Sequence, residues 1–147
     1  MLKILFLTHR FPFPPDRGDR IRSNALIRHL AERHRVSLAA VVERTPDAAD
    51  MRAAERLCAS VDIGSVPRWR RLAAPAYLAT AEPLTLSHFH SPALKKRIEH
   101  RLRTEHFDVI FVYCSAMAPY VLSHVAVPMV IDFIDMDSQK WLDYSMK

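Results

Sequence analysis

Short, uninterrupted apolar runs separated by segments of helical periodicity constrain the fold of this chain more than any other feature. The first run, residues 3–8 (KILFLT), shows no polar alternation, as expected of a strand buried on both faces of a parallel sheet. Comparable runs follow at 36–42, 61–66, 107–113 and 127–133. The pattern predicts an α/β fold with five parallel strands.

The segments between these runs predict the connecting helices. We expect the first helix to run from Asp19, as its N-cap, to about His34, with Ile21 and Ala25 among its inward-facing residues. Thr45-Pro46-Asp47 and Ser91-Pro92 combine a capping residue with a proline, which is typical of a helix start. The remaining predicted ranges are about 46–59, 91–105, 115–124 and 138 onward, with a weak pattern over 67–90.

Right-handed crossovers between consecutive parallel strands determine the topology that we predict. The first three strands extend the sheet to one side, and the chain then reverses to the other side. The expected result is a Rossmann-like, three-layer α/β/α domain with its strands in the spatial order 3-2-1-4-5.

Composition supports one globular domain and excludes several function classes. The chain has 147 residues, of which 50% are hydrophobic, and no apolar run approaches the roughly 18 residues that span a bilayer. The N-terminal apolar run stops at His9-Arg10, so we expect a cytoplasmic protein. Cys58 and Cys114 lack metal or CxxC spacing and are predicted to be small apolar core residues.

Glycine content argues against two common nucleotide-binding classes. Gly18 and Gly64 are the only glycines in the chain. A dinucleotide fingerprint and a phosphate-binding P-loop each need closely spaced glycines, which this chain does not have. A Rossmann-type dehydrogenase and a P-loop NTPase are therefore both disfavoured.

The net charge of +5 favours an anionic partner, either a phosphate, a nucleic acid or the inner leaflet of a membrane. Residues 68–72 (RWRRL) combine basic and aromatic side chains. A solvated helix is the default interpretation of this segment. Headgroup contact at the inner face of the membrane ranks second, and single-stranded nucleic acid ranks third.

The loop after the first strand carries most of the candidate site residues. Three prolines between Phe11 and Gly18 exclude a helix there. Gly18 suits a turn because glycine tolerates positive φ, and it also allows backbone N–H groups to approach a phosphate at a helix N-terminus. His9 can bond either a ligand or the loop itself. Basic residues gather where the helix dipole disfavours them, which favours either a bound anion or a solvated basic face: Arg10, Arg17, Arg20 and Arg22.

The ends of the fourth and fifth strands supply further candidates at the crevice edge, where open α/β sheets bind ligands. Tyr113 and Ser115 follow the fourth strand. Asp132, Asp135 and Asp137 follow the fifth, where a carboxylate can orient a hydroxyl group or act as its base. The alternatives are a helix cap at Asp137 and a divalent metal site, of which the metal ranks lower.

Residues 7–23 (LTHRFPFPPDRGDRIRS) resemble the opening of family-four retaining glycosyltransferases. More narrowly, they resemble the sugar transferases associated with bacterial exopolysaccharide and exosortase (PEP-CTERM) gene clusters. Further matches lie at 82–86, 115–120 and 132–141. The resemblance covers nearly the whole chain. Gly18-Asp19 departs from the usual Gly-Gly pair, and Asp132 and Asp135 stand where many members have a histidine.

This resemblance implies the N-terminal, acceptor-side half of a GT-B enzyme, with residues 1–147 truncated before the donor-binding domain. The implied reaction moves a sugar from a nucleoside-diphosphate donor to a lipid-linked saccharide, with retention and with neither a cofactor nor a catalytic metal. Asp132 and Asp135 are the candidate catalytic residues. The implied substrate-binding residues are His9, Arg10, Arg17, Gly18, Asp19, Arg20, Tyr113 and Ser115.

The expected partners are a nucleotide sugar, a saccharide acceptor and the inner membrane surface, with no nucleic acid. We also expect the fragment to form a homodimer through its C-terminal portion. One alternative function is a non-catalytic, flavodoxin-like binding domain, which would place clustered acids after the first strand where this chain has His9, Arg10 and a single Asp16. Another is a basic nucleic-acid-binding protein, which the charge permits.

Overall fold

A five-stranded parallel sheet forms the centre of the protein. The computed structural model describes residues 1–66, 89–123 and 126–134. The strands lie in the spatial order β3-β2-β1-β4-β5, and every neighbouring pair is parallel, which confirms the predicted topology. Their bounds are β1 Lys3–Thr8, β2 Arg35–Val42, β3 Ser60–Ser65, β4 Val109–Tyr113 and β5 Met129–Asp132.

Helices α1 (Gly18–Ala31), α2 (Ala48–Leu57) and α3 (Pro92–Thr104) connect these strands. Two of them begin at the predicted start signals, α2 after Asp47 of Thr45-Pro46-Asp47 and α3 after Ser91. The backbone N–H of Asp50 donates to the Asp47 carboxylate at 2.8 Å, and that of Leu94 donates to Ser91 Oγ at 3.4 Å. Each bond satisfies a backbone donor that the first turn of a helix leaves without an intrahelical partner.

Helix α1 differs from the prediction at its start and on its buried face. Arg17, not Asp19, occupies the N-cap position, and it makes no capping hydrogen bond. Asp19 lies inside the first turn, where its carboxylate accepts from Arg10 instead. Ile21 is 53% exposed and Ala25 is also exposed, whereas the buried positions are Ser23, Asn24 and Ile27.

The predicted helix over 115–124 is a shorter 3₁₀ helix, Ser115–Tyr120. Pro119 lies within it and has no backbone N–H to donate to an α-helical ladder. The bonds that close this segment instead span three residues, from Val121 N–H to the Ala118 carbonyl at 3.0 Å and from Met117 N–H to the Cys114 carbonyl at 3.0 Å.

Each face of the sheet packs its own apolar core, as predicted for strands buried on both sides. Leu5 and Leu7 of β1 pack with Leu94 and Ile98 of α3. Phe6, between them in sequence, packs on the opposite face with residues of α1 and α2, including Ile27 and Ala54. The described residues therefore form the expected three-layer α/β/α arrangement.

Several sequence expectations lie outside the described residues. These are the basic and aromatic segment 68–72, the matches at 82–86 and 135–141, Asp135, Asp137 and the helix expected from Ser138. Among the helices that the structure describes, none is both long and apolar enough to cross a membrane.

Candidate functional site

The candidate site lies at the carboxyl edge of the sheet. Thr8, Tyr113 and Asp132 are register partners across β1, β4 and β5, so these three strands end at the same level. The chain reverses direction across the sheet at β1, and ligands of open α/β sheets bind beside such a switch point. The loops after these strands therefore converge on one crevice.

The proline-rich loop after β1 is anchored to the domain rather than projecting from it. Phe11 and Phe13 are each 4% exposed and pack in the core shared with α1. Asn24 of α1 donates its side-chain amide to the Pro12 carbonyl at 3.2 Å. Ser23 and Asn24 are therefore buried on α1 because this face of the helix lies against the loop.

Asp19 connects three elements at this edge. Its carboxylate accepts a hydrogen bond from Arg10 Nη1 at 3.2 Å and lies 3.6 Å from His9 Nε2. Its backbone carbonyl accepts a hydrogen bond from the Tyr113 hydroxyl at 3.1 Å. We call His9, Asp19 and Tyr113 the edge triad, because the loop after β1, helix α1 and strand β4 each contribute one member close to the sheet edge.

His9 is held in a mostly enclosed position. Its side chain is 11% exposed, its ring meets Phe89 edge-on with centroids 5.1 Å apart, and it stacks on Tyr113 at 6.1 Å. Burial lowers the pKa of His9, the Arg10 charge lowers it further, and Asp19 opposes both. The lowered pKa favours a neutral imidazole at pH 7. Nδ1 is buried, so Nε2, beside Asp19, is the ring nitrogen that a hydroxyl group can approach.

Asp132 is tied to the edge triad through Arg22. Arg22 Nη2 donates to Asp132 Oδ2 at 2.7 Å, while the Arg22 guanidinium lies 5.8 Å from the centre of the Tyr113 ring. The other oxygen, Oδ1, accepts from the Ile134 N–H at 3.0 Å. Both oxygens of Asp132 are therefore oriented, which is what a group that positions a substrate hydroxyl requires.

Burial raises the pKa of the Tyr113 hydroxyl, with Arg22 opposing it and Asp132 and Asp19 adding to it. The hydroxyl thus keeps its proton and remains the donor to the Asp19 carbonyl. This bond joins α1 to β4 across 94 residues of sequence. Tyr113 is accordingly a positioning element of the site as well as one of its walls.

A cavity of about 640 Å³ lies beside the edge triad, between the loops that follow β1 and β2. Arg10, Arg17 and Arg20 line it, whereas no member of the edge triad does. Carboxylates line it as well: Asp16, Glu43, Asp47 and Asp50. The cavity is therefore polar with mixed charge.

The basic cluster expected around the start of α1 is largely neutralised within the protein. Arg10 pairs with Asp19, Arg20 with Asp16 at 3.0 Å, and Arg22 with Asp132. Of the four predicted arginines, Arg17 alone forms no ion pair with the described residues. Internal carboxylates therefore offset the unfavourable contact of these charges with the helix dipole, and a bound anion is not required to do so.

Gly18 and Ser115 are peripheral to the edge triad. Gly18 is the first residue of α1, its φ is not positive, and a Cβ there would meet no atom within 4 Å. The turn therefore does not need glycine for its backbone conformation, contrary to the expectation. Ser115 is exposed at the start of the 3₁₀ helix, and its side chain makes no hydrogen bond to the described residues.

Arg22 is the residue at this edge whose contacts the sequence did not reveal. It belonged to the basic cluster but was equally compatible with a solvated face. Asp19 and Arg22 are three residues apart and so share one face of α1, a spacing that pointed toward a common site. Its partner Asp132 lies 110 residues away, and sequence spacing does not reveal that contact.

Comparison with known proteins shows the fold. No family model and no curated protein matches this chain. Among solved structures, the chain is similar to Phytolacca americana UGT2 complexed with UDP-2-fluoro-glucose and pterostilbene, with a TM-score of 0.51 and 15% sequence identity. The similarity covers 89% of this chain and 30% of that one. The chain has an α/β Rossmann-like fold that matches a domain of a GT-B glycosyltransferase and spans under a third of its length.

Proposed function

We propose that this chain is the acceptor-side domain of a glycosyltransferase that moves a sugar from a nucleoside-diphosphate donor to a saccharide. The observation that carries the proposal is the edge triad, a neutral, enclosed histidine beside a carboxylate and a tyrosine, at the switch-point edge of a glycosyltransferase-like fold. Ligands of such folds bind at this edge.

The arrangement suits the chemistry of glycosyl transfer. The acceptor hydroxyl forms a bond to the anomeric carbon and gives up its proton while the bond to the leaving diphosphate breaks. Neutral His9, with Asp19 beside its ring, can accept a hydrogen bond from that hydroxyl and orient it, while the leaving diphosphate, which lies on the same face in a retaining transfer, takes the proton. Asp132 offers a second, fixed acceptor. Arg17 and the N-terminus of α1 can stabilise charge that develops on the diphosphate.

The finer assignment rests on the resemblance of residues 7–23 to exopolysaccharide sugar transferases. On this assignment the transfer proceeds with retention of configuration, to a lipid-linked saccharide, and needs neither a cofactor nor a metal. The protein would also contact the inner face of the membrane peripherally. The nucleoside would bind in a second domain. Product anomers resolved by proton NMR test the stereochemistry: inversion by the intact enzyme contradicts the assignment to a retaining family.

The acceptor role is tested by titrating ¹⁵N-labelled chain with a panel of oligosaccharides and with UDP- and GDP-sugars. We expect saccharides to shift the amides of His9, Asp19, Tyr113 and Asp132 saturably, and the nucleotide sugars to bind only weakly. His9→Gln should weaken saccharide binding. His29→Gln is the matched control because His29 is 75% exposed on α1.

Two outcomes count against the proposal. Micromolar binding of a nucleotide sugar by residues 1–147 contradicts a donor site built in another domain. Saccharide shifts that avoid the edge triad, or equal losses in the two histidine variants, contradict an acceptor site at the carboxyl edge of the sheet.

A further inference from the structure

A second cavity lies at the amino edge of the sheet, at the opposite ends of the strands from His9. Its volume is about 300 Å³, close to the lower limit for small-molecule sites. Five residue steps along β1 separate Lys3 from Thr8, which corresponds to roughly 17 Å between the two edges. Among the polar residues that line it are Lys3, Arg35, Ser37, Ser60 and Arg101.

Two cations stand side by side at the mouth of this cavity. Lys3 and Arg35 are direct register partners on β1 and β2. Like charges in such positions destabilise a sheet. Neither side chain forms an ion pair with the described residues. Asp108 attracts Lys3 electrostatically, but its oxygens already accept from the Lys3 backbone N–H at 2.7 Å and contact His106 at 3.3 Å.

A third cation in the wall is already neutralised. Arg101 of α3 pairs with Asp62 on β3 and with Glu105 at 3.0 Å. The ion pair between Arg101 and Asp62 links the end of α3 to β3. Lys3 and Arg35 both line the cavity and form no ion pair with the described residues, whereas Arg101 shares its charge between two carboxylates, of which Glu105 also lines the cavity.

Two hydroxyl groups lie deeper in the cavity. Ser37 is 8% exposed, and its side chain makes no hydrogen bond to the described residues. Ser60 is its register partner on β3, and Ser60 Oγ is buried with no hydrogen-bond partner in the part of the chain that the structure describes. Buried hydroxyls without partners cost folding free energy. The unpartnered Ser60 hydroxyl, with Ser37 beside it and two cations without ion pairs in the same cavity wall, indicates an arrangement for a ligand rather than for the fold.

We propose that this cavity binds a small phosphate-bearing anion, with Lys3 and Arg35 at its charge and Ser37 and Ser60 donating to its oxygens. Cationic donors and hydroxyl donors together match a tetrahedral oxyanion. The hydroxyl groups lie deeper in the cavity than the two cations. A compact molecule can reach all four side chains, whereas a flat binding surface would contact only the two cations. This site is independent of the proposed acceptor crevice.

The test is a titration of ¹⁵N-labelled chain with inorganic phosphate at constant ionic strength, with calorimetry in parallel. We expect saturable shifts at Lys3, Arg35, Ser37 and Ser60. Arg35→Gln should weaken binding about tenfold, as loss of a charge-assisted hydrogen bond implies. Arg56→Gln, an exposed position on α2 that removes the same charge elsewhere, should change the affinity less than twofold.

Ser37→Ala separates a ligand role from a structural one. It should weaken phosphate binding while leaving the protein at least as stable, because the hydroxyl has no partner to lose. His9→Gln should leave phosphate binding unchanged, so failure of this site and failure of the acceptor proposal are distinguishable.

Three results would overturn the inference. Non-saturable shifts, or equal losses in Arg35→Gln and Arg56→Gln, would show general screening. A Ser37→Ala variant that is destabilised yet binds phosphate normally would make the hydroxyl structural. Binding to phosphatidic acid vesicles without any response to soluble phosphate would make this edge a membrane surface rather than a small-molecule site.

Discussion

Gly64→Ala tests how closely α3 packs against β3. An added Cβ at Gly64 would lie 2.5 Å from Leu94 Cβ and 2.6 Å from Ser91 Oγ. Leu94 Cβ is fixed to the first turn of α3, so no side-chain rotation relieves the overlap and the helix itself must shift. The φ of Gly64 is not positive. The expected effect is therefore steric and carries no backbone strain.

The expected destabilisation has two parts. Overpacking in a closely packed core costs about 1–3 kcal/mol. Displacement of Ser91 Oγ also breaks the N-cap bond to the Leu94 N–H, which adds about 1 kcal/mol. The sum is about 2–4 kcal/mol, equivalent to about 6–12 °C in Tm for a chain of this size.

Urea unfolding followed by far-UV circular dichroism measures this difference. The matched control is Gly18→Ala, since Gly18 begins α1 with open space around its Cβ position. The free energy of unfolding of that variant should be about 0.5–1 kcal/mol higher than that of the parent protein, because alanine reduces the conformational freedom of the unfolded chain. If Gly64→Ala stays within about 0.5 kcal/mol of the parent protein, or if both variants are destabilised equally, the steric reasoning is wrong.

Four further predictions concern titration, reactivity, the intact enzyme and assembly. Because the folded-state pKa of His9 is lowered, the unfolded chain binds the extra proton, so the free energy of unfolding should decline as pH falls through about 6.5. Urea unfolding at pH 7.5 and 5.5 should show that the free energy of unfolding declines less for His9→Phe than for the parent protein, and as much for His29→Gln as for the parent protein. Equal declines in all three proteins would refute the assignment of this pH dependence to His9. Burial raises the pKa of Cys58 to about 12, so this thiol should resist a disulfide reagent at pH 8 until urea unfolds the chain; rapid labelling of the native protein is the contrary result. If the chain belongs to the proposed glycosyltransferase, Gly18→Val should abolish transfer without unfolding the protein, by blocking backbone approach to the diphosphate; unchanged turnover excludes such an approach at Gly18. The chain should form a homodimer in light scattering, since β5 is the edge of the described sheet, and deletion of 138–147 should abolish it; a monomer mass at tens of micromolar contradicts this.

The sequence alone determined the layered fold because its signals are local. Each strand appeared as an apolar run, and Asp47 and Ser91 capped the helices they preceded, since capping depends on one side chain and a backbone N–H three residues away. The strand order followed from the handedness of the crossovers. Because all five strands are parallel, their carboxyl ends lie at one edge of the sheet, and the loops that follow them were therefore expected to group there.

Local signals failed where a distant partner competed with them. Asp19 had the chemistry of an N-cap, but Arg10 provides a charged partner and draws its carboxylate away from the helix backbone. Ile21 suited an apolar face, yet α1 buries Ser23 and Asn24 against the proline-rich loop. In both cases a tertiary contact outweighed the periodic pattern.

Tertiary structure alone decided the contacts of the site and the roles of the two glycines. The bond from Tyr113 to Asp19 and the pair of Arg22 with Asp132 span 94 and 110 residues, and both depend on the register that brings β1, β4 and β5 to one level. The sequence drew attention to Gly18, whereas the structure places the steric requirement at Gly64, where α3 crosses β3. Periodicity specifies which residues are buried, but how closely two elements approach depends on the three-dimensional packing of atoms that no local pattern encodes.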